Sequence, residues 1–342
     1  MTSRQRVEAA LDFATPDRVP RDIWALPWVQ FHRAEQLAAA REELQPDIDR
    51  GPEVLVPGDR SEGRKAREGY YTDEWGSVWH AAEDGVIGEV CQPALADWAD
   101  LDRYAAPWEV LQRSDWDAIN RHQQANLAAE NPKYLLPLTS IRPFERIQFI
   151  RGTENVFLDL AYGTAELRTL LEMLNEYYLA ELDKWLATDV DGIYYMDDWG
   201  SQQALLISPD AWEDLFAPLY VEYNRRIHAA GKKAFFHSDG HIAAIFGRLI
   251  ECGFDAINSQ LFCMDIEQLG RDYKGKVTFW GEIDRQQVLA FGTPDDVRAA
   301  VRRVCNALGD RRGGLIAQCE WGKDVSIENL RAVFQGWAEA GG

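Results

Sequence analysis

From residue 134 onward, short apolar runs that end in polar residues alternate with longer segments of helical periodicity. The runs are rich in β-branched and aromatic residues and predict strands, and the segments between them predict helices. Because parallel strands need a crossover connection, this alternation predicts βαβ units and a parallel sheet. The predicted strands are residues 134–140, 191–200, 232–240, 254–260, 276–284 and 313–322.

Two earlier runs, at residues 19–25 and 53–59, bring the predicted strands to eight. Residues 70–90 alternate around Asp84-Gly85 as a β-hairpin would, and the first thirteen residues follow an amphipathic helix pattern. We therefore predict an α/β fold, a (β/α)8 TIM barrel with an N-terminal helical segment and a β-hairpin insertion. We expect a single domain over residues 1–342. A doubly wound open sheet is the alternative.

Two of the predicted helices have recognisable ends. Residues 208–231 begin with a Ser-Pro pair and end at a glycine, and residues 293–309 begin with a Thr-Pro pair and also end at a glycine. Ser and Thr cap helix N-termini, Pro suits the first turn, and Gly follows the last turn. We expect one continuous helix in each segment.

Charge and composition exclude several classes of partner. The chain has 36 Lys and Arg residues against 56 Asp and Glu residues, a formal net charge of −20. Such an acidic surface repels phosphate backbones and anionic lipids. We therefore expect neither nucleic acid nor a membrane as a partner. The absence of a signal-peptide pattern and of a membrane-spanning apolar stretch predicts a cytoplasmic protein. The five cysteines form no CxxC pair, which argues against a disulfide framework or a zinc ribbon.

In a barrel of this kind the chemistry lies at the carboxyl ends of the strands, so the strand-end polar residues are the candidate site. The sequence contains no GxGxxG, GxxxxGK[ST], HExxH or GxSxG motif, so nucleotide-binding, zincin and serine-hydrolase functions lack support. The candidates are Thr139, Ser140, Asp197, Asp198, His237, Ser238, Asp239, Asn258, Gln260, Glu282, Asp284, Cys319 and Glu320.

His237, Asp239 and Cys319 are the candidate metal ligands. His237 and Asp239 are two residues apart on one extended segment and so point the same way, and Cys319 could meet them across the mouth of a closed barrel. Imidazole, carboxylate and thiolate all bind Zn²⁺, and three protein ligands with one open position form a catalytic arrangement. Glu282 or Glu320 could occupy the fourth position. The alternative is a hydrogen-bonded pair beside a buried thiol.

Asp197 and Asp198 are adjacent at a strand end and therefore face opposite ways. We expect at most one of them to enter the cavity, while its neighbour caps the next helix or holds a loop. Asp198 and Glu282 are the candidate catalytic carboxylates, which would position substrate or manage a proton. The candidate substrate-binding residues are Trp24, Asp197, Trp199, Asn258 and Gln260.

Several segments together resemble the uroporphyrinogen decarboxylase superfamily, whose members are (β/α)8 barrels. The resemblance runs through nearly the whole chain, although each segment alone is weak. The segments are MTSRQRVEAALDFATPDRVP, YTDEWGSVW, FERIQFIRGTENVFLDL, DGIYYMDDWGSQQALLISPDAWEDLFAPLY, FFHSDGH, IECGFDAIN and VTFWGEIDRQQVLAFGTPDDVRAAV.

Within that superfamily the chain is more similar to the cobamide-linked methyltransferases than to the true decarboxylases. The decarboxylases carry an RQAGR-type segment for the substrate's carboxylates, and residues 25–33 here read ALPWVQFHR. The methyltransferases commonly hold zinc with a His-x-Cys pair and a further Cys near the C-terminus. His237 and Cys319 match these positions, and Asp239 replaces the middle Cys. One thiolate fewer makes the metal harder and better suited to an ether or alcohol oxygen than to a thiol.

The resemblance therefore implies a zinc-dependent methyltransferase of the O-demethylase type. It would move a methyl group from a small methylated substrate to a separate corrinoid (cobalamin) protein, and a neutral or cationic methoxyaromatic is the first substrate class to test. The alternatives are a metal-assisted decarboxylase or lyase for a small organic acid, a uroporphyrinogen decarboxylase-like protein without porphyrin activity, and a non-catalytic binding protein. The sequence leaves a homodimer open.

Overall fold

The computed structural model describes residues 1–310 and 312–340 and shows a mixed α/β fold. The strands are β1 (Arg21–Ala25), β2 (Ile48–Asp49), β3 (Gly69–Thr72), β4 (Val78–Ala81), β5 (Glu89–Gln92), β6 (Tyr134–Leu135), β7 (Gly192–Met196), β8 (Lys233–Ser238), β9 (Ala256–Ser259), β10 (Thr278–Trp280) and β11 (Leu315–Trp321). The α-helices are α1 (Ser3–Leu11), α2 (Pro27–His32), α3 (Ala34–Leu44), α4 (Trp108–Arg113), α5 (Asp117–Leu127), α6 (Pro143–Arg151), α7 (Thr153–Tyr162), α8 (Ala165–Leu186), α9 (Pro209–Leu215), α10 (Ala217–Ala229), α11 (Ala243–Glu251), α12 (Ile266–Tyr273), α13 (Val288–Phe291), α14 (Pro294–Leu308) and α15 (Ile327–Ala340). Two 3₁₀ turns cover Trp98–Arg103 and Leu261–Cys263.

A curled parallel sheet of six strands forms the centre of the fold. Its order is β1-β11-β10-β9-β8-β7, and every neighbouring pair is parallel. Strands that follow one another in sequence lie side by side, because each helical crossover returns the chain next to the strand it left. This confirms the predicted parallel α/β architecture and places the ends of β7 to β11 along one edge.

The short strands β2 and β6 form a separate parallel pair between the two ends of this sheet. Asp47 N donates to Arg21 O at 2.8 Å, which joins β2 to β1, and Thr139 N donates to Tyr194 O at 2.9 Å, which joins the segment after β6 to β7. Asp191 N also donates to Leu135 O at 3.0 Å and Tyr194 N to Pro137 O at 3.3 Å, and an isolated bridge pairs Leu138 with Tyr194. Between β1 and the start of β2, in contrast, a single backbone hydrogen bond is present among the described residues. A closed eight-stranded barrel therefore stays a prediction.

The predicted strand at 53–59 is wrong, because the strand in this part of the chain is β2, several residues earlier. Pro52 precedes the predicted run and Pro57 lies within it, and proline removes a backbone donor from any ladder. The predicted hairpin is present and larger than expected. Strands β3, β4 and β5 form a three-stranded antiparallel sheet, with Asp84-Gly85 between β4 and β5.

The predicted helix caps are observed. Ser208 accepts a hydrogen bond from Ala211 N, and Thr293 forms a capping box with Asp296. The segment 208–231 is two helices, α9 and α10, rather than one. Pro218 lies in the first turn of α10, where its ring is compatible with a helix start but not with a helix interior, so the chain breaks at Phe216.

The core has two layers because side chains alternate between the faces of each strand. One layer packs the sheet against the surrounding helices. The other lies on the inner side of the sheet and includes Tyr194, Phe235, Trp280 and Ile316. This alternation decides which strand-end residues can meet. None of the helices within the described residues is long and apolar enough to cross a bilayer.

A buried carboxylate joins the N-terminal helix to β1 and β2. Asp47 is fully buried and accepts from Arg6 Nη1 at 2.7 Å, from Arg18 Nη1 at 2.7 Å and from Arg21 N at 2.7 Å. Arg18 Nη2 donates a further hydrogen bond at 3.0 Å, so three charge-assisted bonds and a backbone donor satisfy the carboxylate and compensate the cost of its burial. The contact holds the start of β2 beside β1.

We expect Asp47→Ala to lower the free energy of unfolding by about 3 kcal/mol or more, because it leaves two arginines without their shared buried partner. Urea unfolding followed by tryptophan fluorescence measures this change. Asp214→Ala is the matched control, since in the described part of the chain the Asp214 carboxylate pairs with Arg168 alone and both side chains are exposed. That control should change stability by less than about 0.5 kcal/mol. Equal effects of the two variants would contradict a structural role for the buried carboxylate.

Candidate functional site

Asp198, His237 and Asp239 meet at the carboxyl ends of β7 and β8. His237 Nε2 lies 3.6 Å from Asp198 Oδ1 and 3.4 Å from Asp239 Oδ1. One nitrogen or oxygen atom from each residue lies within 4.8 Å of the others, close enough to share one metal ion. His237 is buried, and the two carboxylates are partly exposed toward the space above the sheet.

Two glycines let the loops after β7 and β8 approach each other. A Cβ atom on Gly240, whose φ is +78°, would lie 2.2 Å from the Gly200 carbonyl carbon, so only glycine fits there. Gly200 N donates to Asp239 O at 3.1 Å, and Asp239 N donates to Asp198 Oδ1 at 2.9 Å. The backbone therefore holds the two carboxylates beside one another.

A hydrogen bond from the next strand sets the state of the His237 ring. Asn258 donates its Nδ2 to Trp280 O, which leaves Asn258 Oδ1 to accept from His237 Nδ1 at 2.6 Å. With the proton on Nδ1, the Nε2 lone pair of the neutral ring faces Asp198 and Asp239. Three electron-rich groups then converge, and a cation or an added proton is needed to relieve their repulsion.

Asp239 has an unused buried oxygen on this side. Its Oδ2 accepts from Arg285 Nη2, whereas its Oδ1 is buried with no hydrogen-bond partner among the described residues. An unpartnered buried carboxylate oxygen 3.4 Å from an imidazole nitrogen fits a metal ligand set. Carboxylate oxygen and imidazole nitrogen are both ligands that Zn²⁺ accepts. The residues present therefore fit a bound divalent metal.

Arg285 links the carboxylates of three strand ends. Besides Asp239, it donates to Glu320 Oε1 at 2.6 Å, and its Nε lies 3.7 Å from Glu282 Oε1. Burial raises the pKa of Glu282 well above the usual range, and burial also raises the pKa of Glu320. Burial followed by the charge of Asp239 raises the pKa of Asp198. Arg285 was not among the site residues predicted from the sequence, although it lies three residues after Glu282, in the segment GEIDR (residues 281–285).

The structure does not bring Cys319 into this group, which corrects the predicted ligand set. Ile316 lies in the inner layer, and Glu320, four residues later, also faces inward, so the thiol of Cys319 points to the opposite face. Cys319 is fully buried in the layer between sheet and helices, and burial raises the pKa of its thiol. Glu320, the next residue, faces the inner side and binds Arg285.

Asp197 and Trp199 lie on the helix-facing side of β7, which corrects their predicted contact with substrate. Asp197 accepts from Phe144 N and Glu145 N at 2.8 Å each and from the Tyr220 hydroxyl at 2.7 Å. It therefore caps α6, an earlier helix of the chain, and only Asp198 of the pair faces the cavity. Trp199 is fully buried and stacks on Phe144 with ring centroids 4.2 Å apart.

The other predicted substrate-binding residues surround His237. The Trp24 ring meets the His237 ring edge-on with centroids 5.2 Å apart, and its Nε1 donates to Asp22 Oδ2 at 2.8 Å. Gln260 Oε1 accepts from Gly240 N at 2.9 Å and so holds the loop after β8. Asn258 orients the His237 ring. These contacts support the site, and substrate contact by these residues stays a prediction.

Comparison with solved structures shows what the fold is similar to. A methyltransferase from Methanosarcina mazei superposes with a TM-score of 0.74 at 16% sequence identity, covering 99% of each chain. A chitinase from Chromobacterium violaceum reaches a TM-score of only 0.41 at 12% identity, covering 93% of this chain and 99% of the chitinase. Comparison with curated proteins finds no match.

A family profile matches a large part of the sequence. The profile described as uroporphyrinogen decarboxylase (URO-D) matches residues 143–339, more than half of the chain. This range begins at α6 and includes β7 to β11, so it contains all three residues of the candidate metal site. The chain therefore belongs to the uroporphyrinogen decarboxylase family.

Proposed function

We propose that this protein is a metal-dependent methyltransferase that moves a methyl group from a small methylated substrate to a corrinoid held by a separate protein. The observation that carries the proposal is the convergence of the His237 Nε2 atom with two carboxylates, one of which has a buried oxygen without a hydrogen-bond partner among the described residues. The full-length structural similarity to a methyltransferase from Methanosarcina mazei supports it. The proposal also takes β2 and β6 as closing an eight-stranded ring and places the protein in the cytoplasm.

Asp198, His237 and Asp239 would hold the metal, and we propose Zn²⁺. Bound there, Zn²⁺ would supply a Lewis acid for the heteroatom that carries the methyl group. A ligand set of nitrogen and oxygen without sulfur favours an ether or alcohol oxygen over a thiol. This ligand set differs from the His, Asp and Cys set expected from sequence, because Asp198 takes the place of Cys319.

Arg285 keeps Asp239 available as a ligand. Its guanidinium binds Asp239 Oδ2 and Glu320 Oε1, so the Asp239 carboxylate cannot rotate freely and its Oδ1 stays directed at His237. Asn258 does the same for the imidazole, since a histidine ligand is oriented by the group that accepts its second N–H. Both residues are therefore positioning residues.

Glu282 is the proposed proton donor. Burial raises the pKa of its carboxyl group well above the usual range, so the group keeps its proton to a higher pH than an exposed glutamic acid does. When the methyl group leaves for a nucleophilic Co(I) corrinoid, the bonding electrons stay on the substrate oxygen, which then accepts the proton from Glu282. The products are a methylated corrinoid and a hydroxyl compound, and the Glu282 carboxylate regains its proton from solvent.

We expect His237→Ala to abolish binding of stoichiometric zinc and Asp239→Asn to weaken it by roughly tenfold or more, because each variant removes a ligand. Elemental analysis of protein purified without chelator and competition with a chromogenic chelator measure the two effects. Cys319→Ala is the control and should retain the metal, since its thiol lies on the other face of the sheet. Loss of zinc in the Cys319 variant alone would contradict the proposed ligand set.

A second prediction concerns pH. Glu282 must be protonated to act as the donor, so kcat for demethylation should be highest below its raised pKa and fall by about tenfold per pH unit above it. Glu282→Gln should lower kcat by roughly 10² to 10⁴ and remove this dependence. The assay is methyl transfer from methoxyaromatic compounds to added cob(I)alamin. The absorbance change of the corrinoid gives the rate, and the pH is varied from about 6 to about 10.

The control for this experiment is Asp284→Asn. Asp284 lies two residues from Glu282, but among the described residues its carboxylate accepts hydrogen bonds from Gln286 N and Gln287 N alone, in its own turn. The Asn variant should keep the alkaline fall in kcat. If the Gln variant at Glu282 keeps the same pH profile as the wild type, another group donates the proton.

A further inference from the structure

A small cavity adjoins the buried carboxyl group of Glu282. Its walls include Gln260 and Cys263 from the segment after β9, and Glu282, Arg285 and Gln286 from the segment after β10. The cavity volume is about 10 Å³, which is about the space that one ordered water molecule needs. The cavity is therefore too small for a substrate, but it has room for a water.

The Glu282 carboxyl group has little contact with solvent and few partners. The residue is only 3% exposed. Its ion-pair partner among the described residues is Arg285, whose Nε lies 3.7 Å from Glu282 Oε1, too far to donate a hydrogen bond. Arg285 donates instead to Asp239 and to Glu320. Because a buried carboxyl group normally has a hydrogen-bond partner, a water in the cavity would complete the surroundings of Glu282.

The cavity wall reaches the surface of the protein. Gln286 is exposed and Cys263 is partly exposed, whereas Gln260 and Glu282 are buried. Asp284 also lines the cavity, and its carboxylate accepts hydrogen bonds from the backbone of its own turn. None of the three proposed metal ligands is among the residues of the wall. The cavity therefore offers Glu282 a path to solvent that is separate from the metal site.

Cys263 fixes one side of this path. Its Sγ lies 3.3 Å from Gln202 Oε1 and 3.5 Å from Gln260 Oε1, so the thiol donates toward two amide oxygens. Gln260 Oε1 in turn accepts from Gly240 N at 2.9 Å. Burial, followed by the charge of Glu282, raises the pKa of the Cys263 thiol, so the thiol keeps its proton and stays neutral. Cys263 is thus a neutral wall, and the size of its side chain determines how much of the cavity is open.

We propose that a water molecule in this cavity returns the proton to Glu282 from solvent, beside Cys263 and not through the metal site. The inference rests on the proposed methyltransferase function, in which Glu282 gives a proton to the substrate oxygen in each turnover. The water donates one proton to the Glu282 carboxylate and takes another from solvent, so the water is restored. The product and the corrinoid protein do not have to leave the metal site before the proton returns.

Filling the cavity tests this route. Cys263→Phe places a ring in the cavity, Cys263→Leu is a smaller change of the same kind, and Cys263→Ser keeps the size of the side chain. The measurement is hydrogen–deuterium exchange of the Glu282 carboxyl group in the protein as purified. The infrared C=O stretch of the protonated group is followed after mixing with D₂O at about pH 6, where its raised pKa keeps the group protonated. The Glu282→Gln protein identifies the band.

The wild type and Cys263→Ser should exchange within the mixing time, because a water reaches the carboxyl group directly. Cys263→Phe and Cys263→Leu should exchange roughly tenfold or more slowly, because exchange then requires local opening of the segment after β9. Cys91→Phe is the matched control, since it adds the same ring at an exposed position of β5, and it should exchange like the wild type. Wild-type exchange in both cavity-filling variants, slow exchange in Cys263→Ser, or no infrared band that depends on Glu282 would overturn the inference.

Methyl transfer gives a second measurement. With enzyme in excess over substrate, a single turnover uses the proton that Glu282 already holds. The two cavity-filling variants should therefore keep the wild-type rate in this experiment. A slower single turnover in both variants would mean that the added side chain disturbs the chemistry rather than the return of the proton, and would contradict the inference. Slowed exchange without any methyl transfer to cob(I)alamin would uphold the route to Glu282 and reject the methyltransferase proposal alone.

Discussion

The hydrogen bond between His237 Nδ1 and Asn258 Oδ1 is the contact on which the candidate site depends. It belongs to a relay across three neighbouring parallel strands, since Asn258 in turn donates to the Trp280 carbonyl. The relay puts the Nε2 lone pair of the neutral imidazole toward two carboxylates. Without it the ring could carry its proton on Nε2 and hydrogen-bond to those carboxylates, and no cation would be required.

The acidic residues at the ends of β7 and β8 have different roles, because each carboxylate faces different groups. Asp197 and Asp198 are adjacent, yet Asp197 completes the first turn of α6 and Asp198 faces His237. Asp239 is divided between two roles, with one oxygen on Arg285 and the other unpartnered. A net charge of −20 describes the whole surface and does not reveal this arrangement.

Much of the fold could be predicted from local patterns. The runs that became β1 and β6 to β11, the hairpin turn at Asp84-Gly85 and the caps at Ser208 and Thr293 are all features of a few consecutive residues. The strand near residue 50 was misplaced, because two residues in a ladder leave no periodic signal. The break at Phe216 was missed, although Pro218 indicated it.

The sequence by itself determined that polar residues would collect at one edge of a parallel sheet, because each strand ends in them and parallel strands place their ends together. Only the tertiary structure decided which of them meet. Whether Cys319 or Glu320 faces inward depends on the register of one strand, and a shift of one residue exchanges the two faces. The contacts of Arg285 with Asp239 and Glu320 join residues that are distant in the chain. Such pairings depend on closure of the fold, which no local pattern encodes.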